Sequence, residues 1–150
     1  LLLKKFSYQL KTTFIILRIF SLFGNFNNKG RLIEHIKSND KLKIKNPFLK
    51  SDFISINYLI KIILIIIKKK YKKNFNIYNC CSSIGITPVE IINLLPKEKL
   101  RNIKIKGIIT RKNNIYSSRN ICIGNNKKIL KDLKIKKSLI FREIKQYLKN

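Results

Sequence analysis

The stretch that decides the fold spans residues 12–24 and reads TTFIILRIFSLFG. Up to Phe20 it is rich in β-branched and aromatic residues, which favour a pleated, buried strand over a helix. Gly24 then begins a segment that runs to Gly30 and contains three asparagines, a composition typical of a loop. We therefore predict a buried strand over Thr12–Phe20, followed closely by a loop.

On both sides of this stretch, helical periodicity alternates with extended periodicity. Apolar residues at helical spacing predict helices, and short alternating or β-branched runs predict strands. The predicted helices are 1–10, 32–36, 57–69, a helix that begins after Thr87, one from Asn125 or Asn126 through Leu133, and one from Ser138 through Leu148. The predicted strands after residue 24 are 42–44, 53–54, 75–78 and 103–108. Strands that alternate with helices predict the α/β fold class.

The sharpest local signal is the tetrapeptide Thr87-Pro88-Val89-Glu90. A Thr can cap a helix, Pro suits the first helical position, and a Glu three residues after the Thr completes a capping box. The sequence therefore predicts that a helix begins immediately after Thr87.

The charge balance is extreme for 150 residues: 34 Lys and Arg oppose 7 Asp and Glu, for a net charge of +27. Such an excess favours a nucleic-acid or anionic partner. However, the lysines are spread along the whole chain, Arg is scarce, and Ala is absent. Because Ile, Lys and Asn have codons rich in A and T, drift in base composition explains the charge better. We therefore expect no dedicated nucleic-acid partner.

The residues alone show no constellation for catalysis or metal binding. His35 is the single histidine, and the three cysteines are an adjacent pair and a lone residue, which suits neither a disulfide scaffold nor a metal knuckle. The carboxylates are scattered, and the five glycines form no phosphate-binding loop. We therefore predict no catalytic, cofactor-binding or metal-binding residue from spacing alone.

The longest apolar run, Ile62–Ile67, is closed by Lys61 and Lys68 and is far shorter than the roughly 20 residues that span a bilayer. We expect no membrane association, and a cytoplasmic location agrees with free thiols.

The order of four segments resembles that of a known family, the NAD-dependent nucleotide-sugar epimerases and dehydratases of the extended short-chain dehydrogenase/reductases. Residues 16–24 (ILRIFSLFG) resemble the family's LRxFNxYGP, residues 50–59 (KSDFISINYL) its KRDFIxVDDL, residues 77–87 (IYNCCSSIGIT) its VYNIGSGxxxS, and residues 121–133 (ICIGNNKKILKDL) its DxSKAxxxLGW ending. The resemblance covers nearly the whole chain.

This resemblance implies a C-terminal half: the last strand or strands of a Rossmann-type sheet plus a small α/β substrate-binding domain. Residues 1–24 would be the truncated end of the NAD-binding domain, and residues 25–150 would bind the nucleotide sugar. The family's Gly-rich NAD-binding turn and Tyr-x-x-x-Lys pair would lie before this chain, which begins with Leu rather than Met. The family implies NAD as cofactor, a nucleotide-diphosphate sugar as partner and a homodimer. The chain by itself is expected to be inactive.

Four residues correspond to the family's substrate contacts. Ser21 stands where an Asn contacts the diphosphate, and Ser51 stands where an Arg neutralises it, so a main charge contact is lost. Lys50 could partly replace that Arg as a point charge. Arg111 lies in the segment where the family has an Arg that reaches the nucleotide, although an ordinary exposed Arg explains it equally well.

Two alternatives remain open: a small basic protein that binds RNA or anionic surfaces, and a remnant without function. We also expect the strand over Thr12–Phe20 to be an orphan, because its sheet neighbours would belong to the missing half. An orphan apolar strand exposes a reactive edge.

Overall fold

The computed structural model describes residues 2–25, 31–39, 41–44, 46–72, 74–102, 104–107 and 121–149. Within these ranges the helices are α1 (Leu2–Gln9), α2 (Leu32–Ser38), α3 (Ile56–Lys68), α4 (Pro88–Ile92), α5 (Lys97–Asn102), α6 (Lys127–Leu133) and α7 (Ile140–Lys149). The strands are β1 (Phe14–Ile19), β2 (Ser21–Phe23), β3 (Lys41–Ile44), β4 (Lys50–Ser55), β5 (Phe75–Cys80), β6 (Gly85–Ile86), β7 (Lys104–Gly107) and β8 (Ile121–Cys122). The α/β prediction is confirmed.

The strand predicted over Thr12–Phe20 corresponds to β1, and β2, which was not predicted, follows it directly in a different sheet. β1 pairs in parallel with β5 over its whole length, from Phe14 opposite Phe75 to Ile19 opposite Cys80. At Phe20 the chain leaves this pair, with the Phe20 amide still donating to the Cys80 carbonyl over 3.1 Å. β2 then pairs in parallel with β4. The expectation of an orphan strand is therefore wrong, because a segment some sixty residues later supplies the partner.

β4 is the central strand of the second sheet. It pairs in parallel with β2 and β8 and antiparallel with β6. A separate parallel pair joins β3 to β7. α3 connects β4 of the second sheet to β5 of the first.

Two buried clusters hold these elements together. One joins β1, β4 and β5 to α3 and α6, and its buried members are Ile54, Leu59, Ile62, Tyr78, Cys80, Ile129 and Leu133. The other joins the ends of β2 and β4 to α2, β3, α4 and α7, and includes Phe23, Ile33, Ile36, Leu42, Phe53, Ile91 and Ile144. β4 contributes Phe53 to one cluster and Ile54 to the other, since successive residues of a strand face opposite sides.

The predicted caps are confirmed in part. Thr87 and Glu90 form the capping box of α4, with Pro88 in the first turn. Asn126 does precede α6, but its side-chain amide donates instead to the Cys81 carbonyl over 3.0 Å, while the Asn125 side chain accepts from the Lys127 amide. Ser138 lies two residues before α7.

Among the described residues, no helix combines the length and the apolar character that crossing a bilayer requires.

Candidate functional site

A cleft of about 610 Å³ opens where the chain passes from β1 to β2. It is lined by β2 and β4, by the first half of α2 and the residue before it, by the end of β3 and the segment before β4, and by the start of α4. The residues that line it are Phe20, Ser21, Leu22, Phe23, Arg31, Leu32, Ile33, Glu34, His35, Ile44, Asn46, Leu49, Ser51, Phe53 and Pro88. The cleft is thus largely apolar with a few polar groups, as is common for small-molecule sites.

Ser21 and Ser51, two of the predicted site residues, line this cleft together. Ser21 lies opposite Phe53 in the β2–β4 register. Ser51 is two residues before Phe53 and therefore on the same face of β4. The strand switch at Phe20 is what brings Ser21 into this position, because it carries the chain from the first sheet to the edge of the second.

Lys50 faces the other way. It is exposed, lies next to Ser51 on β4 and does not line the cleft. Hydrogen bonds from Thr87 and, to a smaller extent, the Lys50 ammonium lower the pKa of Glu90. The structure therefore separates Lys50 from Ser21 and Ser51. Arg111, the fourth predicted residue, lies outside the described residues.

Arg31 is a cleft residue that the sequence reasoning missed. It precedes α2, and its guanidinium donates to the Leu22 carbonyl over 2.8 Å. This contact ties the start of α2 to β2 and holds the cation at the cleft wall. The signal that could have found Arg31 is the scarcity of Arg in a chain whose cations are mostly Lys.

Glu34, also missed, is a buried carboxylate that contributes to the cleft wall. Its Oε1 accepts from the Gly24 amide over 3.3 Å, whereas Oε2 is buried without a hydrogen-bond partner in the described part of the chain. Gly24 has a φ of 150°, and a side chain there would collide with Ile56. Gly24 thus allows the sharp exit from β2 that brings its amide to Glu34.

Asp52 lies on β4 between Ser51 and Phe53, which line the cleft, and does not line the cleft itself. It is 1% exposed, and its carboxylate accepts four hydrogen bonds. The amide and hydroxyl of Ser82 donate to Oδ1 over 2.7 Å each, and the amides of Ser83 and Gly124 donate to Oδ2 over 3.0 and 3.1 Å. One buried carboxylate therefore fixes two loops, the one after β5 and the one after β8, to the strand that carries Ser51.

The described residues around the cleft do not form a nucleophile–base pair. His35 is half-buried at the cleft, with Nδ1 3.1 Å from the side-chain amide nitrogen of Asn39. Burial raises the pKa of Cys80 to about 11 and also raises that of Cys81, which is the opposite of thiol activation. In the part of the chain that the structure describes, no three His, Cys, Asp or Glu residues gather as metal ligands do.

The fold is that of a Rossmann-type extended short-chain dehydrogenase/reductase, over about half of such a chain. No family model matches the sequence, and no curated protein matches it. Solved structures do match, and they establish the resemblance to NAD-dependent epimerases and dehydratases at the level of the fold.

Three of these structures illustrate the match. A UDP-N-acetylglucosamine 4-epimerase from Methanobrevibacter ruminantium, in complex with UDP-N-acetylmuramic acid, superposes with a TM-score of 0.78 at 16% identity, over 98% of this chain and 48% of its own. A UDP-glucose 4-epimerase from Thermotoga maritima, with UDP-glucose, gives 0.75 at 15% identity, over 98% and 48%. A dTDP-glucose 4,6-dehydratase from Bacillus anthracis, in complex with NAD, gives 0.72 at 14% identity, over 97% and 46%. The present chain thus spans about half the length of the structures it matches.

Proposed function

We propose that this chain is the C-terminal, nucleotide-sugar-binding portion of an NAD-dependent sugar epimerase or dehydratase. The observation that carries the proposal is the cleft, in which Ser21, Ser51 and Arg31 converge from β2, β4 and the start of α2. The half-length match to epimerases and dehydratases supports it.

In this proposal the Arg31 guanidinium neutralises the diphosphate, since its planar fork suits phosphate oxygens. The hydroxyls of Ser21 and Ser51, which line the same cleft, donate to the same group. The apolar side chains of Phe20 and Leu49, which also line the cleft, take the flat nucleobase. Arg31 would then compensate for the Arg that the family has at the position of Ser51.

The residues present do not fit NAD. The five glycines are isolated in the sequence, so they cannot supply a Gly-rich turn for the pyrophosphate, and no Tyr-x-x-x-Lys pair occurs. The cofactor would be held outside these 150 residues, and the chain alone would bind a nucleotide without converting it. We assign residues 1–24 to the end of the cofactor-binding domain. We assign β5 to the same domain, because it pairs with β1.

Calorimetric titration of the chain with UDP and with UDP-glucose tests the proposal. We expect binding that weakens about tenfold in Arg31→Gln, a loss of about 1.4 kcal/mol. Arg142→Gln, which removes an exposed Arg from α7, is the matched control and should leave binding unchanged.

A gain-of-affinity variant tests the direction of the β4 side chains. Ser51→Arg introduces the family's cation into the cleft and should tighten UDP binding, whereas Lys50→Arg, on the opposite face, should not. If Arg31→Gln and Ser51→Arg bind UDP as tightly as the unaltered chain does, the cleft is not the nucleotide site.

The net charge of +27 supports a second candidate, a basic protein that binds RNA or other anions. An oligouridylate titration separates the two. Binding to the oligonucleotide that falls steeply with salt and is unaffected by UDP and by Arg31→Gln would favour this candidate. A folded chain that binds neither ligand would favour the remnant.

A further inference from the structure

The single histidine of the chain lies in the cleft, and the contacts proposed above leave it unused. His35 is in the first half of α2, lines the cleft and is half-buried. Arg31 lies one helical turn before it, and the His35 backbone amide donates to the Arg31 carbonyl over 2.8 Å. Residues four apart lie on the same side of a helix, so the imidazole and the guanidinium line the cleft from the same side of α2.

The Asn39 side chain fixes which nitrogen of the imidazole carries the ring hydrogen. Its amide nitrogen donates to the His35 carbonyl over 2.8 Å and lies 3.1 Å from His35 Nδ1. Turning the amide over would bring its oxygen against that carbonyl, where two acceptors repel each other. The amide nitrogen therefore faces both groups, and because it can only donate, Nδ1 accepts. The ring hydrogen then lies on Nε2.

Nε2 is the ring nitrogen that remains for a ligand. Asn39, which holds Nδ1, does not line the cleft, whereas the imidazole does. Within the ranges that the structure describes, the His35 side chain makes no hydrogen bond other than the one with Asn39. The Nε2 hydrogen is therefore a donor of fixed position, at the edge of the ring away from Asn39.

We infer that His35 is a binding residue of the cleft and that its Nε2–H donates to a phosphate oxygen of the bound nucleotide diphosphate. This inference rests on the proposed function, in which Arg31 binds the same diphosphate and the apolar side chains take the base. An ionised phosphate oxygen only accepts hydrogen bonds, so it requires the tautomer with hydrogen on Nε2. Asn39 is the positioning residue, because it excludes the tautomer that would turn a lone pair towards the anion.

Nuclear magnetic resonance of the full chain labelled with 15N-histidine tests the tautomer, and the single His35 gives the only ring signals. Long-range 1H–15N correlation at about pH 8, where imidazole in water is neutral, should show the hydrogen on Nε2. UDP should shift the Nε2 resonance more than that of Nδ1, and uridine, which lacks the phosphates, should not. Asn39→Ala should increase the share of the tautomer with hydrogen on Nδ1.

His35→Gln and His35→Asn form a matched pair for the contact itself. The longer Gln side chain brings its amide NH2 near the position of Nε2, whereas that of Asn reaches only to the position of Nδ1. In calorimetric titration we expect His35→Asn to weaken UDP binding about tenfold and His35→Gln to weaken it by less than about threefold. Neither variant should change uridine binding. Circular dichroism checks that both are folded.

Four results would overturn the inference. Hydrogen on Nδ1 in the ligand-free chain would remove the donor. UDP binding that Arg31→Gln weakens and His35→Asn does not would refute the role of His35 and leave the proposed function intact. Equal losses of UDP and uridine in His35→Asn would place the base, not a phosphate, at His35. A chain that does not bind UDP would refute both this inference and the proposed function.

Discussion

At the scale of single residues, Asp52 shows how one buried charge can organise a site without touching a ligand. Its four donors come from Ser82, Ser83 and Gly124, on two loops far apart in sequence. A buried carboxylate is tolerated only when its lone pairs are satisfied, and here they are. Asp52 therefore fixes the loops after β5 and β8 relative to the strand that carries Ser51.

Asp52→Asn should destabilise the chain by roughly 3 kcal/mol, because one amide NH2 group then faces N–H and O–H donors that need an acceptor. Asp132→Asn is the matched control. It makes the same change of charge at a half-buried position where the carboxylate accepts from the Tyr78 hydroxyl over 3.2 Å, and should lower stability by about 1 kcal/mol or less. Urea unfolding measures both. Equal losses in the two variants would refute the role given to Asp52.

At the scale of secondary-structure elements, the local signals were reliable where a few neighbouring residues decide the structure. The capping box of α4 is such a case. The Thr87 hydroxyl oxygen accepts from the Glu90 amide over 3.2 Å, and Glu90 accepts from the Thr87 amide over 2.7 Å. All the groups involved lie within one turn, so the sequence alone predicts the arrangement.

Thr87→Ala removes the side-chain half of this box and should cost about 1 kcal/mol of stability. Thr12→Ala provides the control, since Thr12 is exposed and its hydroxyl donates only locally, to the Leu10 carbonyl over 3.1 Å. Chemical denaturation of both variants checks the prediction. A Thr12→Ala loss as large as that of Thr87→Ala would show that the box adds nothing.

The second strand, β2, was missed at the same scale. The sequence predicted that a strand ends at Phe20, but nothing local indicated that Ser21–Phe23 forms another strand in a different sheet. The boundary between β1 and β2 is set by their partner strands. β5 pairs with the chain only from Phe14 to Ile19, and β4 pairs with it from Ser21 to Phe23. Strand pairing over such distances is decided by the whole fold.

At the scale of the whole molecule, the net charge of +27 opposes compactness. The exposed lysines repel one another over distances comparable to the Debye length, about 10 Å at 0.1 M salt and about 3 Å at 1 M. Because the unfolded chain is more expanded, its charges repel less. The folded state therefore gains more from screening.

We expect the melting temperature to rise by about 3 °C or more between 0.05 and 0.5 M sodium chloride, which corresponds to about 1 kcal/mol for a chain of this size. Thermal melts followed by circular dichroism measure it. Protein that is partially acetylated on its lysines is the control and should show a smaller salt response, since acetylation removes the charges. A melting temperature that is flat or falls with salt would contradict this account.

Sequence patterns were enough to predict the α/β class, most of the helices and strands, the α4 cap and, through the order of four motifs, the family whose fold the chain shares. They also predicted Ser21 and Ser51 as site residues, and both line one cleft. The pairing of β1 with β5 and the position of Lys50 outside the cleft could not be predicted in this way. Local order depends on residues a few positions apart, whereas these features depend on which distant segments pack together.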